Sequence, residues 1–537
     1  MNCCHADFAL VEGSDTGFTV GMPTFTFGAG ALREAGPQAQ EQGLKRVALF
    51  TDKYVAASEP FATVRASLAA AGIDAVVFDA ISIEPTDASF QAAATFAREA
   101  QVDGYVSVGG GSVMDTCKAA NLYACHPADF MTYVNAPIGA GQKVPGPVKP
   151  HIACPTTSGT GSETTGIAIF NLQSINAKTG IISRRLIPTI ALIDPDVTKT
   201  LPAKMVAATG FDCMSHALEA ITARAYPRRL NPAKGVNRPV SQGANPFSDL
   251  LAGEALGLVG RFLPRAVADA SDTEARTEMM YAAMLAGIAF NASGCHLPHG
   301  LSYAVSGLAK DWHVPGYPEG KSLVPHGMAV VLNNPSVWRF TAPKHPPRHL
   351  HCAACLGADM RGAGPDDAGE VLANRVIDMM KVTGMPNGLS ALGFGEDQID
   401  ALASGAEPQY RVIRNAPMDV GRDELKTLFR SALRYWQPSP AFPARQSRAP
   451  RGGPAAGRRT CSPCRARWRF RALPGAAAER ASRLPIPVRC RRLRATGCDR
   501  CGRSARSDAA GVPAQYRCRC RLPRTRRFRC RPLARTG

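Results

Sequence analysis

The sequence predicts an α/β half followed by an all-helical half: a parallel sheet with helices on both faces over residues 1–197, then an all-α domain over 198–437. Three observations predict it. Short apolar runs alternate with longer amphipathic ones from about 46 to 194, and strand-like runs become rare after Asp194-Pro195. At Pro438 the composition changes sharply enough to set residues 438–537 apart as a tail.

In order, 46–52 reads as a strand and 54–72 as an alanine-rich helix. Residues 74–79 form the next strand and 86–100 the next helix. A third strand at 105–108 runs straight into Gly109-Gly110-Gly111-Ser112 and a further helix. Such a βαβα order places strands side by side in parallel, because each crossover helix returns the chain to the same edge. Beyond 197 the helical periodicity covers 201–223, 246–268, 272–291, 365–384, 395–404 and 422–436. Residues 226–246, rich in Pro, Arg and Asn, and 310–325, with Gly and Pro, read as long loops. Loops of that length inside a compact domain are commonly functional.

The formal charge of +20 over 537 residues suggests a nucleic-acid or membrane-surface partner until the charge is located. Residues 438–537 hold 27 Arg, no Lys and three acids (Glu479, Asp499, Asp508), a net of +24, which leaves 1–437 at −4. The basicity belongs to the tail alone, so a nucleic-acid partner is not expected. Arg, Pro, Ala, Gly and Cys dominate the tail without periodicity, as in a disordered segment or the product of a shifted reading frame through GC-rich DNA. Cys461-x-x-Cys464 with Cys498-x-x-Cys501 offers the alternative of a four-thiolate zinc site. Cys154, Cys213 and Cys295 sit in apolar surroundings, as reduced thiols do. No apolar run approaches the 18 or so residues a membrane span needs, and residues 1–7 have neither a basic nor an apolar leader region. A cytoplasmic enzyme, expected to be a homo-oligomer and without a membrane partner, follows.

The pattern richest in chemistry is Asp212-x-x-x-His216 with two matching steps downstream, Pro298-His299-Gly300 and Pro325-His326-Gly327. Asp and His at i and i+4 share one face of a helix, one turn apart, and can hold the same ion. One carboxylate and three imidazoles make a complete ligand set for a divalent first-row metal and suit Fe(II) or Zn(II) about equally. His296 and His313 compete on spacing but lack the Pro-His-Gly setting.

Upstream, Gly109-Gly110-Gly111-Ser112 follows a strand and opens a helix, where free N–H groups favour a pyrophosphate. It lacks the G-x-G-x-x-G spacing, and a purely structural turn explains it as well. Thr156-Thr157-Ser158-Gly159-Thr160-Gly161 offers hydroxyls suited to a phosphate or a nicotinamide ribose, or to a helix cap. Asp52, ending the first strand, is placed to bind an adenosine ribose and so favour NAD, or to cap a strand-end turn.

These segments resemble the iron-containing alcohol dehydrogenase family at 109–118, 155–164 and 209–219, and the similarity runs through nearly all of 5–436. Segments Arg238-Pro239-x-x-Gln242-Gly243-x-Asn245-Pro246, His296-Leu297-x-His299-Gly300-x-Ser302-Tyr303 and Met114-Asp115-Thr116-Cys117-Lys118 resemble a subgroup that passes hydride from a hydroxyacid to a 2-oxoacid. The resemblance implies a dehydroquinate synthase-like architecture, with a dinucleotide-binding first domain, a metal-binding helical second domain and a cleft between them. It implies Asp212, His216, His299 and His326 as ligands of Fe(II), with Zn(II) the alternative. It implies NAD held by Gly109, Gly110, Gly111, Ser112 and Asp115, with Thr156, Thr157, Thr160 and Lys178 on the nicotinamide side. Where many family members carry a further histidine, this chain has Tyr303. Arg238 is the expected partner of a substrate carboxylate. The implied reaction takes 4-hydroxybutyrate and 2-oxoglutarate to succinate semialdehyde and 2-hydroxyglutarate through bound NAD. The alternative is a dehydrogenase of small alcohols that releases its cofactor.

Overall fold

The computed structural model describes residues 8–175, 177–233, 236–309, 312–314 and 323–437; the tail, its paired cysteines and residues 1–7 lie outside the described residues, as does most of the 310–325 loop. Among the described residues, eight strands precede residue 194: β1 Thr24–Phe27, β2 Arg46–Phe50, β3 Asp74–Phe78, β4 Gly104–Gly109, β5 His151–Pro155, β6 Ile167–Leu172, β7 Ala177–Ile182 and β8 Ile190–Ile193. Helices α1 Ala35–Glu41, α2 Glu59–Ala70, α3 Asp87–Glu99 and α4 Gly111–Cys125 lie between them. The described residues beyond are helical: α5 Ala203–Thr222, α6 Pro246–Ala268, α7 Thr273–Ser293, α8 Leu297–Leu308, α9 His326–Val331, α10 Asn334–Thr341, α11 Pro346–Cys355, α12 Ala368–Thr383, α13 Ile399–Ala406, α14 Tyr410–Ile413 and α15 Arg422–Ser431. None of the described helices is long and apolar enough to cross a membrane.

Six strands form one parallel sheet in the order β1-β8-β5-β4-β2-β3. Alternation along β2 explains the helices on both faces. Val47 and Leu49 join Phe61, Val64 and Leu68 of α2, whereas Ala48 and Phe50 join Ala93 and Ala97 of α3 and Val113 and Cys117 of α4. From β2 the chain steps outward to β3 and then returns to the far side of β2 as β4. The carboxyl ends of β2 and β4 therefore flank a topological switch point, where open parallel sheets bind ligands. Asp52 follows β2, and Gly109–Ser112 lead from β4 into α4.

The α/β fold and the helical second half agree with the sequence, with local differences. The helix expected over 54–72 begins at Glu59, because Ser58 is extended (ψ 160°) and Pro60 occupies the first turn. The antiparallel hairpin β6–β7 was not expected; its strands pair from Ile167↔Ile182 to Leu172↔Ala177 outside the parallel sheet. Helices α8 to α11 were also missed: three of them open on proline-bearing turns that read locally as loop.

Burial of histidine makes the core acid-sensitive. His151 opens β5, is 3% exposed, and meets the Ser107 hydroxyl of β4 at 2.8 Å. Burial pushes its pKa down to about 3, with Lys118 adding to the effect. The unfolded chain binds this proton near pH 6.5 and the folded chain does not. The associated stability is therefore complete above the unfolded value and is lost as pH falls toward the folded one, at about 1.4 kcal/mol per pH unit. We expect His151→Gln to flatten the decline of unfolding free energy between pH 6 and 4 by about that slope, measured by urea titration; an unchanged slope would assign the acid sensitivity elsewhere.

Candidate metal and cofactor site

Helix α5 places Asp212 and His216 one turn apart, 2% and 4% exposed. Helices α8 and α9 bring His299 and His326 to the same point from the second half of the chain. The Asp212 Oδ1 atom faces three imidazole Nε2 atoms, of His299 at 3.4 Å, His326 at 3.7 Å and His216 at 3.8 Å. Asp212 Oδ1 and His299 Nε2 are buried and have no hydrogen-bond partner. Buried polar atoms left without partners are costly unless something else binds them. One carboxylate and three imidazoles converging this way fit a divalent metal ion.

Electrostatics prepare the same state. Burial alone would raise the Asp212 pKa, but the three imidazoles outweigh it and hold the carboxyl well below its usual range. Burial pushes His216 down to about 4. Both groups thus present, near neutral pH, the protonation state that ligation needs. The side chain of His326 is 33% exposed and opens onto the cleft.

One participant was missed. Glu219, fully buried on α5 three residues beyond His216, accepts a hydrogen bond from His299 Nδ1 at 2.5 Å. Its other oxygen accepts the His296 backbone N–H at 2.5 Å. This holds the His299 ring so that Nε2 faces Asp212, as carboxylate–histidine pairs do behind bound metals. The signal was available: Asp212, His216 and Glu219 fall at i, i+4 and i+7, one helical stripe. His296 is engaged elsewhere, with Nε2 2.9 Å from the Thr222 hydroxyl, and His313 is exposed.

A cleft of about 1180 Å³ connects this cluster to the glycine turn, lined by Gly111, Ser112, Asp115, Thr160, Lys178 and Tyr303 among others. The two small-residue loops meet there. Thr156 N–H donates to the Gly109 carbonyl at 3.0 Å, Gly111 lies against Thr160, and Gly110 lies against Thr157, whose buried hydroxyl is unpartnered. Ser112 Oγ accepts the Glu84 N–H at 3.3 Å.

Other expected contacts are already engaged. Asp115 accepts from the Ser162 hydroxyl at 2.6 Å and the Ile169 N–H at 2.9 Å, and its neighbour Lys118 donates to the same Ser162 at 2.6 Å. Asp115 thus ties α4 to the second loop and to β6. Asp52 uses one oxygen to accept the Tyr54 and Val55 N–H groups at 2.9 Å, and lies outside the cleft lining. Lys178 Nζ is 2.7 Å from Glu84 Oε1. Arg238 lines the cleft, but its Nε donates to both Asp15 oxygens, at 2.8 and 3.1 Å.

The profile of the iron-containing alcohol dehydrogenase family matches residues 23–195, and that of its C-terminal region matches 238–433. Mitochondrial hydroxyacid-oxoacid transhydrogenase of Rattus norvegicus is 46% identical over 425 residues, covering 79% of this chain and 91% of that one; its Homo sapiens counterpart is 45% identical over the same length and shares. Among solved structures, a 1,3-propanediol oxidoreductase superposes with a TM-score of 0.68 at 29% identity, covering 78% of this chain and all of that one. A sulfoacetaldehyde reductase from Bifidobacterium kashiwanohense, solved in complex with NAD+, gives 0.64 at 26% identity, covering 78% and 98%. The relatives' names correct one expectation: they are mitochondrial, and point to the mitochondrion rather than the cytoplasm. Reduced thiols do not discriminate between those compartments, since both are reducing.

Proposed function

The chain is an oxidoreductase belonging to the iron-containing alcohol dehydrogenase family, and from that premise we propose that it shuttles hydride from a hydroxyacid to a 2-oxoacid through tightly held NAD. The donor of this reading is 4-hydroxybutyrate and the acceptor 2-oxoglutarate, with succinate semialdehyde and 2-hydroxyglutarate as products. Asp212, His216, His299 and His326 would hold iron, and Gly109–Ser112 with Thr156, Thr157 and Thr160 would hold the dinucleotide. A bound metal supplies Lewis acidity at the reacting oxygen, and NAD supplies the hydride carrier.

One observation favours acids over neutral alcohols. Eight arginines line the cleft, and at its metal end Arg411 has no hydrogen-bonding or ionic partner among the described residues. Arg238, Arg224 and Arg184 are taken by Asp15, Asp419 and backbone carbonyls. Arg411 lies on α14, which packs against α8 where Gly300 follows His299. A Cβ at Gly300 would come within 2.8 Å of Ile413, so the bare backbone is what lets α14 approach. A half-buried guanidinium without a counter-ion suits a substrate carboxylate, which it can grip bidentately. The role expected of Arg238 passes in this reading to Arg411. Tyr303 stands beside it, and burial pushes its phenol up to about 12. Tyr303 therefore stays protonated and orients substrate by donating a hydrogen bond.

Purified protein mixed with 4-hydroxybutyrate and 2-oxoglutarate, with no NAD added, should form both products; turnover only with added NAD would favour a cofactor-releasing dehydrogenase. For Arg411→Gln we expect kcat/KM for both acids to fall about 10- to 100-fold, the worth of a charged hydrogen bond. 1-Butanol oxidation should change little, and Arg238→Ala should leave KM for both acids unaltered. Equal losses for acid and alcohol in Arg411→Gln would remove it from carboxylate recognition.

A further inference from the structure

The ligand atoms at the centre fall into two groups that share His299. Asp212, His299 and His326 form one, and His216, Cys295 and His299 form the other, with the ligand atoms of each within 4.8 Å of one another. We propose that Cys295 gives the centre a second, sulfur-bearing donor set with His216 and His299, one that captures a thiophilic divalent ion such as Zn2+ or Cd2+. This inference rests on the reading of the centre as a metal site.

Geometry supports it from each ligand. Cys295 is a free thiol in the loop between α7 and α8 and lines the cleft. Its backbone is pinned, because Asn415 Nδ2 donates to the carbonyls of both Cys295 and Ser293, at 3.1 and 3.2 Å. The rings of His216 and His299 stack at 4.6 Å, both 4% exposed. Glu219 occupies His299 Nδ1, leaving Nε2 as the free donor, and Nε2 of His216 faces the same centre. Tetrahedral zinc with nitrogen and sulfur ligands separates its donors by about 3.3 to 3.8 Å.

Donor softness then divides the ions. Thiolate selects Zn2+ and Cd2+, whereas the carboxylate–imidazole set suits Fe2+ as well. Binding through Cys295 releases the thiol proton to solvent and needs no oxidant. Both sets use His299, so zinc held by one would compete with iron held by the other.

The test is Co2+ titration of full-length, metal-stripped protein followed by absorption spectroscopy. The forms compared are the parent, Cys295→Ser, Cys295→Ala, Asp212→Asn and His299→Ala. Thiols of the tail contribute alike to all five and cancel in difference spectra. We expect the parent to show a thiolate-to-cobalt charge-transfer band that both Cys295 variants lose and Asp212→Asn keeps. Zn2+ should displace Co2+ from the parent at concentrations at least about tenfold lower than from Cys295→Ser. A charge-transfer band identical in the parent and both Cys295 variants, or one lost with Asp212→Asn, overturns the proposal. Visible d–d bands unaffected by His299→Ala would instead overturn the metal-centre reading itself.

Discussion

Asp212→Asn should retain the fold yet lose hydride transfer by about a thousandfold or more, and most of its bound iron with it. The side chains are isosteric and the site is buried, so packing on α5 is preserved. What disappears is the one negative charge facing three imidazole nitrogens at 3.4 to 3.8 Å. A metal contributes several kcal/mol of charge stabilisation, and about 4 kcal/mol corresponds to that thousandfold. Iron content by plasma mass spectrometry and single-turnover hydride transfer check the two halves of the statement. A variant that is metal-free but fully active would remove the centre from the reaction.

Gly327→Ala should be the most damaging single methyl in the second half of the chain. A Cβ at Gly327 would lie 1.9 Å from the Ala208 carbonyl oxygen and 2.8 Å from Asp212 Cβ, so α9 must retreat from α5 to admit it. Overpacking of this kind costs about 1–3 kcal/mol. Here it also draws His326 away from Asp212, because the histidine is the preceding residue. We expect a lowered melting temperature together with metal affinity reduced at least about tenfold. Lost stability with unchanged metal affinity would show that His326 tolerates the shift and is not a required ligand. This is the physical meaning of the Pro-His-Gly step at 325–327: proline opens the helix, histidine reaches inward, and glycine lets the helix backbone touch α5.

Features carried by local pattern were legible in the sequence. The βα alternation announced the parallel sheet, and the α5 stripe with the paired Pro-His-Gly steps announced residues that the fold brings to one point. Features that depend on distant partners were not. Arg238 looked available until Asp15, 223 residues away, proved to hold it. No motif in the sequence marks Arg411, and only the seating of α14 on Gly300 puts it beside the Asp212–histidine cluster. Asp115 sits in a glycine-turn motif, but Ser162 and the β6 backbone claim its oxygens. Lys178 lies on a hairpin the periodicity did not reveal, and its partner Glu84 comes from the loop after β3. Glu219 was readable in principle, since it continues the Asp212–His216 stripe, but a lone buried acid carries no motif of its own.

The most direct measurement follows a label. 4-Hydroxybutyrate deuterated at the carbinol carbon is incubated with the purified protein and 2-oxoglutarate, in the presence of excess unlabelled NADH and NAD. If hydride moves between the two acids through a cofactor that stays bound, deuterium will appear at C2 of 2-hydroxyglutarate without dilution by the free pool. Label that equilibrates into free NADH before reaching 2-hydroxyglutarate, or never reaches it, would contradict the account.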